Sequence, residues 1–345
     1  MKKRAFARER FGKQLAASRA ALAPGLLTQG RAGSPGDGVL RSRMRDHRVR
    51  ERGTASVWEA LLWLSPALIL ILGIVVYPVI ALVAASFSTY SVIGLRKGDA
   101  GVANYVNLLT SPDLGQVLWN TFVWVAVVVI LTIVIGLGLG QFLSKEFFGR
   151  RFVRWAVIVP WAAALIMSSQ LFLLIYDYYH GILNQLLLGL GIIQKPIDWV
   201  GNSTFIMPSM IAVGIFVSLP FTAYLFVAGL SAIPEDIYEA ARIDGAGSWQ
   251  IYRRITLPLL RPAILIGVVL NMIYVFNSFP IIWVLNGRNP GFGNDTLITY
   301  MYKLAFKSAQ HDVGLAAATS VLNVIIILIA VAIYLRFVNW RESEK

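Results

Sequence analysis

The sequence predicts an all-α membrane protein with six transmembrane helices and both termini in the cytoplasm. Three observations carry this. The 345 residues are 57% hydrophobic and only 14% charged, with a mean hydropathy of +0.65, outside the usual range of a soluble domain. Six apolar runs each reach the roughly 20 residues that a helix needs to cross a hydrocarbon core. Lys and Arg are shared unevenly between the segments that separate those runs, and that bias sets orientation.

Residues 1–57 hold fourteen Lys/Arg and four Asp/Glu, a local net of +10 within a total of +13. This basic segment, rich in Arg, Gly, Ser and Pro from Arg31 to Gly38, reads as a disordered cytoplasmic tail drawn to anionic headgroups. Its only aromatic residues are Phe6 and Phe11, so nucleic-acid binding is set aside. The weakly apolar patch Leu15–Leu27 is broken by Arg19 and Pro24, too poor for a signal-peptide core.

The apolar runs fall at about 58–87, 117–143, 152–176, 205–229, 260–285 and 313–338. Together they form a six-helix membrane domain over 58–338, with a short cytoplasmic tail at 339–345. The first run contains Pro66 and Pro78, and the fifth follows Pro258 and Pro262; neighbouring helices satisfy the carbonyls that such prolines free. With the N-terminus inside, 25 Lys/Arg face the cytoplasm and six lie outside: Arg96, Lys97, Lys195, Arg288, Lys303 and Lys307. The outer loops, about 25 to 30 residues each, are too short for an independent domain.

The segment 230–262 is a polar, proline-framed insert between two apolar runs. Pro234 suits a helix start, with Glu235 and Asp236 at the positive end of its dipole. Ile233, Ile237 and Ala241 fall on one face. Ala240 and Ala241 permit close approach by a partner, and Asp244-Gly245 stops the helix. A second short helix over about 247–255 offers Trp249, Ile251 and Tyr252, and Pro258 and Pro262 redirect the chain. The whole reads as a helix–turn–helix on the membrane face, able to pass rigid-body movement into the spans. The plainer alternative is an amphipathic connector lying on the headgroups.

Other chemistry is sparse. Cysteine is absent, and His47, His180 and His311 are scattered, so no zinc site is expected. There is no phosphate-binding G-x-x-x-x-G-K-[ST], no H-E-x-x-H and no G-x-S-x-G. Gly136, Gly138 and Gly140 contain a G-x-x-x-G that permits close helix packing. The spans carry essentially no ionisable groups, which argues against proton coupling. A membrane-embedded enzyme would need paired acids or a metal site; only Glu235, Asp236, Glu239 and Asp244 cluster, and they fit docking better. Polar and aromatic residues within the spans are the substrate candidates, chiefly Trp161, Ser218, Phe221, Tyr274, Asn277 and Ser278. Aromatic faces stacking on C–H surfaces, with amides and hydroxyls bonding to hydroxyls, suit a sugar. Taken singly, such residues equally serve helix–helix hydrogen bonding, each bond contributing about 0.6 kcal/mol.

The run Glu239-Ala-Ala-Arg-Ile-Asp-Gly-Ala246, continuing to Leu257-Pro258 and Pro262, resembles the EAA cytoplasmic loop of ABC-importer permeases. Asn104-Tyr105, Asn120-Thr121, Val159-Pro160-Trp161-Ala162, Gly181-Ile-Leu-Asn184 and Gly229-Leu-Ser-Ala-Ile-Pro234 recur in that order in the carbohydrate branch, which includes maltose, multiple-sugar and glycerol-phosphate transporters. The resemblance spans roughly 58–338. It implies a type I importer permease fold in a bacterial cytoplasmic membrane. It implies a second homologous permease, two ATPase subunits that bind and hydrolyse ATP-Mg, and an extracytoplasmic solute-binding protein. No cofactor or catalysis of its own is then expected. The helix of the loop would insert into an ATPase cleft, with Glu239, Ala240, Ala241, Asp244, Gly245 and Ala246 as coupling residues. Sugar contacts would fall near Trp161, Val217, Ser218, Phe221, Tyr274, Asn277 and Ser278. A polyol or glycerol-phosphate is the alternative solute, and a secondary carrier the alternative class. The third outer loop departs from the family: it reads Asn286 to Gly293 where a Gly-Gly-Pro is usual, and the basic tail is longer than the family needs.

Overall fold

A computed structural model describes residues 57–287, 289, 291–307 and 311–343. The tail expected over 1–57 lies outside these residues, Val57 apart. The chain divides into two compact units at Leu70. Among described residues the first contributes α1 (Val57–Leu70), an apolar helix with Pro66 inside it. The second begins with a π-helical turn, Ile71–Val76, and α2 (Tyr77–Ser86). It continues through α3 (Ala103–Leu109), α4 (Leu114–Ser144), α5 (Arg150–Trp161), α6 (Leu165–Ile175), α7 (Ile182–Gly189) and α8 (Ser203–Ser231). The polar insert forms α9 (Glu235–Ile243), α10 (Ser248–Ile251), a second π-helical turn and α11 (Leu257–Leu259). Then follow α12 (Arg261–Phe276), α13 (Phe279–Asn286), α14 (Leu297–Phe306) and α15 (Val313–Ser343).

Among the described residues four helical stretches are long and apolar enough to cross a membrane: Leu61–Ser86, Leu114–Ser144, Ser203–Ser231 and Val313–Phe337. A fifth is a bent pair, Ser248–Leu259 with Arg261–Phe276, angled at 64°. Six unbroken helices were expected, and two are interrupted. The third run is split into α5 and α6 by an extended backbone at Ala164 (φ −60°, ψ 139°). The fifth stops at Asn277-Ser278 before α13, where Pro280 in the first turn of α13 has no N–H to carry a helix backward.

A two-stranded antiparallel hairpin corrects the all-α expectation locally. Strands β1 (Ser88–Tyr90) and β2 (Arg96–Asp99) pair in the segment between α2 and α3. Gly94 (φ 79°) supplies the left-handed turn, and its N–H bonds the Ser91 carbonyl. Asn104 fixes the hairpin to α2 by donating from Nδ2 to the carbonyls of Ser86 (2.8 Å) and Ser88 (3.0 Å). A Cβ at Gly314 would collide with the Ser88 carbonyl and the Asn104 amide, so α15 can approach only with glycine there.

Two further amides of the sequence, Asn120 and Asn184, also hold loops. Asn120 Nδ2 donates to the carbonyls of Gly293 (2.7 Å) and Asp295 (3.1 Å), and Thr121 Oγ1 accepts from Leu297 N–H (2.9 Å). Asn184, fully buried, accepts from Ile197 N–H and Trp199 Nε1 and donates to the Ile197 carbonyl. Asp177 caps the start of the segment between α6 and α7: its Oδ1 accepts from the N–H groups of His180 (2.8 Å) and Tyr179 (3.0 Å), which hold its carboxyl below the usual range.

The centre of the second unit is the crossing of α4 and α8. A Cβ at Gly136 would lie 2.9 Å from Thr222 Cγ2, and one at Gly140 would lie 2.9 Å from Phe226 Cβ and 3.0 Å from the Ala223 carbonyl. The G-x-x-x-G is therefore a groove for α8. Trp124, 1% exposed, lies against Gly214 of α8 and donates Nε1–H to the Val275 carbonyl of α12 at 2.9 Å. Asn271 adds a polar link between α12 and α8 through Thr222 Oγ1 (2.9 Å). Gly140→Leu should cost about 1–3 kcal/mol by overpacking this crossing. Gly138 has open space around the position of a Cβ, so Gly138→Leu should leave thermal unfolding in detergent nearly unchanged; equal shifts for the two variants would refute the groove.

Candidate functional site

Two sites emerge, one within the helices and one on the polar insert. The first is a cavity of about 390 Å³ lined by Trp161 of α5, by Val217, Ser218 and Phe221 of α8, and by Leu270, Asn271, Ile273 and Tyr274 of α12. The break after Trp161 places its indole at the end of α5 rather than along a continuous span. Trp161 and Phe221 stand nearly parallel, 21° apart with centroids at 6.5 Å. Trp161, Phe221 and Tyr274 are 48%, 39% and 43% exposed, so three aromatic side chains border open space. Ser218 is 4% exposed and its buried hydroxyl has no hydrogen-bond partner. A buried hydroxyl without a partner is costly unless a ligand or water meets it. The lining carries no charged side chain. This chemistry suits a neutral molecule with apolar faces and hydroxyl edges.

Five of the seven candidate substrate residues thus stand in one cavity: Trp161, Val217, Ser218, Phe221 and Tyr274. Asn277 and Ser278 do not line it. Asn277 is exposed and donates to the Ile273 carbonyl at 2.9 Å. Ser278 is buried at the α12–α13 break with its hydroxyl unpartnered. Asn271, one of the polar residues of the fifth run read as substrate candidates, lines it as well, one turn from Tyr274 on the same helix face. Leu270 and Ile273 are apolar lining residues that no polar or aromatic signal marked.

The second site is the insert. Pro234 precedes α9 in an extended conformation (φ −59°, ψ 139°), and Glu235 and Asp236 occupy the first turn. Helix α9 ends in a Schellman-type closure: Ala246 N–H bonds the Ala241 carbonyl, and Gly245 adopts φ 77°. Ala241 is 7% exposed and faces the protein, whereas Glu239 and Ala240 are exposed. The shared face expected for Ile233, Ile237 and Ala241 is only partly buried, since Ile237 is 38% exposed. Ile243 and Trp249, 86% and 71% exposed, are two large apolar side chains presented to the surroundings. Ile243 is four residues from Glu239, so the exposed face combines an acid, a small residue and an apolar knob. The Thr256 hydroxyl donates to Tyr238 Oη at 3.3 Å and ties α9 to the turn after α10. Asp244 and Ala246 complete the turn around Gly245.

Outside both sites, Asp295 and Lys303 form a buried ion pair at 2.7 Å, with side chains 1% and 9% exposed. Lys303 Nζ also donates to the carbonyls of Gly291 (2.8 Å) and Asn289 (3.3 Å), and Asp295 Oδ1 accepts from Asn286 Nδ2 (2.9 Å). Burial pushes the Asp295 carboxyl up, and Lys303 opposes that rise. The pair ties α14 to the segment between α13 and α14. Among the described residues no cluster of three or more His, Cys, Asp or Glu is placed to hold a metal ion.

Residues 132–342, which include both the cavity and the insert, match the family described as the binding-protein-dependent transport system inner membrane component. The chain belongs to this family. A probable ABC transporter permease protein of Brucella suis biovar 1 is 39% identical over 280 residues, covering 81% of this chain and 96% of the relative. The trehalose/maltose transport system permease protein MalF of Thermococcus litoralis is 32% identical over 286 residues, covering 82% and 94%. In solved structures, a chain of a bacterial ABC transporter involved in import of the acidic polysaccharide alginate has the same fold. That match has a TM-score of 0.71 at 21% identity and covers 87% of this chain and 98% of the other. Membership in this inner-membrane family is consistent with the several apolar helices described above. The matched residues run through both interrupted runs.

Proposed function

We propose that this chain is the transmembrane permease subunit of an ATP-driven importer that moves a sugar or sugar-like solute into the cytoplasm. The observation that carries the reading is the cavity: three open aromatic side chains, an unpartnered serine hydroxyl and no charge. Two relatives' names point the same way, since one is a trehalose/maltose permease and the other an ABC transporter permease. The absence of a cation from the lining disfavours a phosphorylated polyol, which would need one. The absence of an acid disfavours proton coupling.

In this reading the bilayer is crossed six times, with α5 and α6 sharing the third crossing and α12 and α13 the fifth. Both termini and the insert face the cytoplasm, because that arrangement places 25 Lys/Arg inside and six outside. The exposed face of α9, with Glu239, Ala240 and Ile243, seats in an ATPase subunit, of which two serve the complex. Ala241, Asp244, Gly245 and Ala246 fix its angle. A second homologous permease completes the pathway, and a solute-binding protein delivers the solute from outside. ATP-Mg is bound and hydrolysed by the ATPases, and this chain performs no covalent chemistry.

Tyr274→Ala and Ser218→Trp test the cavity. Tyr274→Ala should lower uptake about fivefold in reconstituted vesicles by removing a stacking face worth about 1 kcal/mol, and Ser218→Trp should lower it about tenfold or more by filling the space. Co-purification of the ATPase should be unchanged. Wild-type flux and solute affinity in both variants would overturn the assignment.

A further inference from the structure

We propose that the corner between α4 and α5 is a binding site for the headgroup of an anionic phospholipid. The ten residues from Lys145 to Arg154 contain four cations (Lys145, Arg150, Arg151 and Arg154) and one acid, Glu146. Arg150 and Arg154 lie one turn apart on the same face of α5. The Nε atoms of both are buried and have no hydrogen-bond partner. Each guanidinium is part-exposed, 29% for the Arg150 side chain, and short of acceptors within the protein, and a phosphate oxygen is the acceptor that its geometry fits best. Arg150 Nη1 is 3.7 Å from Glu146, a long contact to a side chain that is 95% exposed. Arg154 spends one Nη2 donor on the Leu143 carbonyl at the end of α4 (2.9 Å).

The corner is held in shape without a ligand. The Tyr224 hydroxyl of α8 donates to the Arg154 carbonyl at 2.9 Å. Together with the Arg154–Leu143 bond, this straps the first turn of α5 to both α4 and α8. Beside the cations stands an apolar fringe. Phe152, Trp155 and Val159, at helical spacing, are 78%, 60% and 60% exposed, and Phe148 is wholly exposed. Guanidiniums next to an outward aromatic and aliphatic stripe match a molecule with a phosphate at one end and acyl chains at the other. A soluble phosphate would use the first half of that surface alone. The α9 face, which we assign to the ATPase, has the opposite character, with an acid at Glu239 in place of the cations.

The site rests on the cytoplasmic placement of this corner proposed above. Two kinds of measurement keep the claims separate. The chain contains no cysteine, so Glu146→Cys gives a single labelling position. Reaction with an impermeant maleimide from the outside of right-side-out vesicles would overturn the orientation, whatever the lipid result. The lipid test is native mass spectrometry of the full-length chain in detergent. It is titrated with phosphatidylglycerol, with phosphatidylcholine of the same acyl chains, and with inorganic phosphate.

Phosphatidylglycerol should be retained over phosphatidylcholine. Arg150→Gln should weaken its retention about fivefold, and Arg150→Gln with Arg151→Gln by about 25-fold, following the usual contribution of each surface cation. Neither variant breaks the Arg154 strap, so unfolding temperatures in detergent should match the wild type and show that the fold is intact. Equal retention of the two lipids, or unchanged retention in Arg150→Gln, would overturn the site. Displacement of phosphatidylglycerol by millimolar inorganic phosphate would assign it to a soluble anion and overturn the lipid.

Discussion

Glu239→Lys leaves the chain inserted in the membrane but removes at least tenfold of the ATPase stimulation by solute-loaded receptor, and co-purification of the ATPase falls with it. Glu239 is exposed on α9 while its neighbour Ala241 is packed against the protein. The substitution therefore reverses a charge on the outward face without disturbing the helix beneath. Reversal of an interfacial charge costs about 2–5 kcal/mol when its partner is desolvated, enough for that loss. Gly245 provides an independent check. Nothing lies within 4 Å of a Cβ built there, so its only demand is the positive φ of 77°. Asparagine tolerates that conformation and valine does not. Gly245→Asn should couple nearly as well as wild type and Gly245→Val poorly. Normal co-purification and stimulation in Glu239→Lys would remove the docking role from α9, and equal behaviour of the two Gly245 variants would remove it from the turn.

Lys303→Met should be the most destabilising single change outside the helix crossings. It leaves the Asp295 carboxyl, 1% exposed, without its counter-ion, and breaking a buried pair from one side costs about 3–5 kcal/mol. It also removes the donor that gathers the carbonyls of Asn289 and Gly291. Asp295→Asn in the same chain should restore part of the loss, because no uncompensated charge then remains. Thermal unfolding of the four proteins in one detergent measures the coupling. Strict additivity of the two single changes would show that the pair contributes nothing to the segment between α13 and α14.

How much of this was legible in the sequence differs from element to element. The long spans were visible because α4, α8 and α15 are single helices of nearly uniform apolar composition. The interruptions were hidden because hydropathy measures composition and not backbone path. The break after Trp161 runs through Ala162, Ala163 and Ala164, the residue type that most favours helix; nothing in the local sequence explains it. The break at Asn277 and Ser278 had a signal in Pro280. The turn around Gly94 was the only sign of the hairpin, whose strands are three and four residues long.

The candidate sites show the same division. Trp161, Ser218, Phe221 and Tyr274 were chosen as polar or aromatic residues in apolar runs, and the structure gathers them in one cavity. Asn277 and Ser278 met the same criterion but fall beyond the last full turn of α12. Asn104, Asn120 and Asn184 were quoted for their order along the chain. Their hydrogen bonds give that order a physical content, since each amide on a helix holds a neighbouring loop segment. Such long-range pairings are invisible until the chain is folded.

The 64° bend at Leu260 sets a mechanical ratio between the polar insert and the cavity. Helix α12 runs without a break from Arg261, beside the bend, to Phe276, and Tyr274 stands thirteen residues along it. At 1.5 Å per residue that is a rod of about 20 Å. Tilting it by about 10° at the Arg261 end would displace the phenol by about 3 Å, comparable to the thickness of a sugar ring. The indole of Trp124 donates to the Val275 carbonyl one residue beyond Tyr274, so that end of the rod would move together with Trp124 or release it. A small swing delivered from below would thus be enough to open or pinch the aromatic walls, with no helix having to melt.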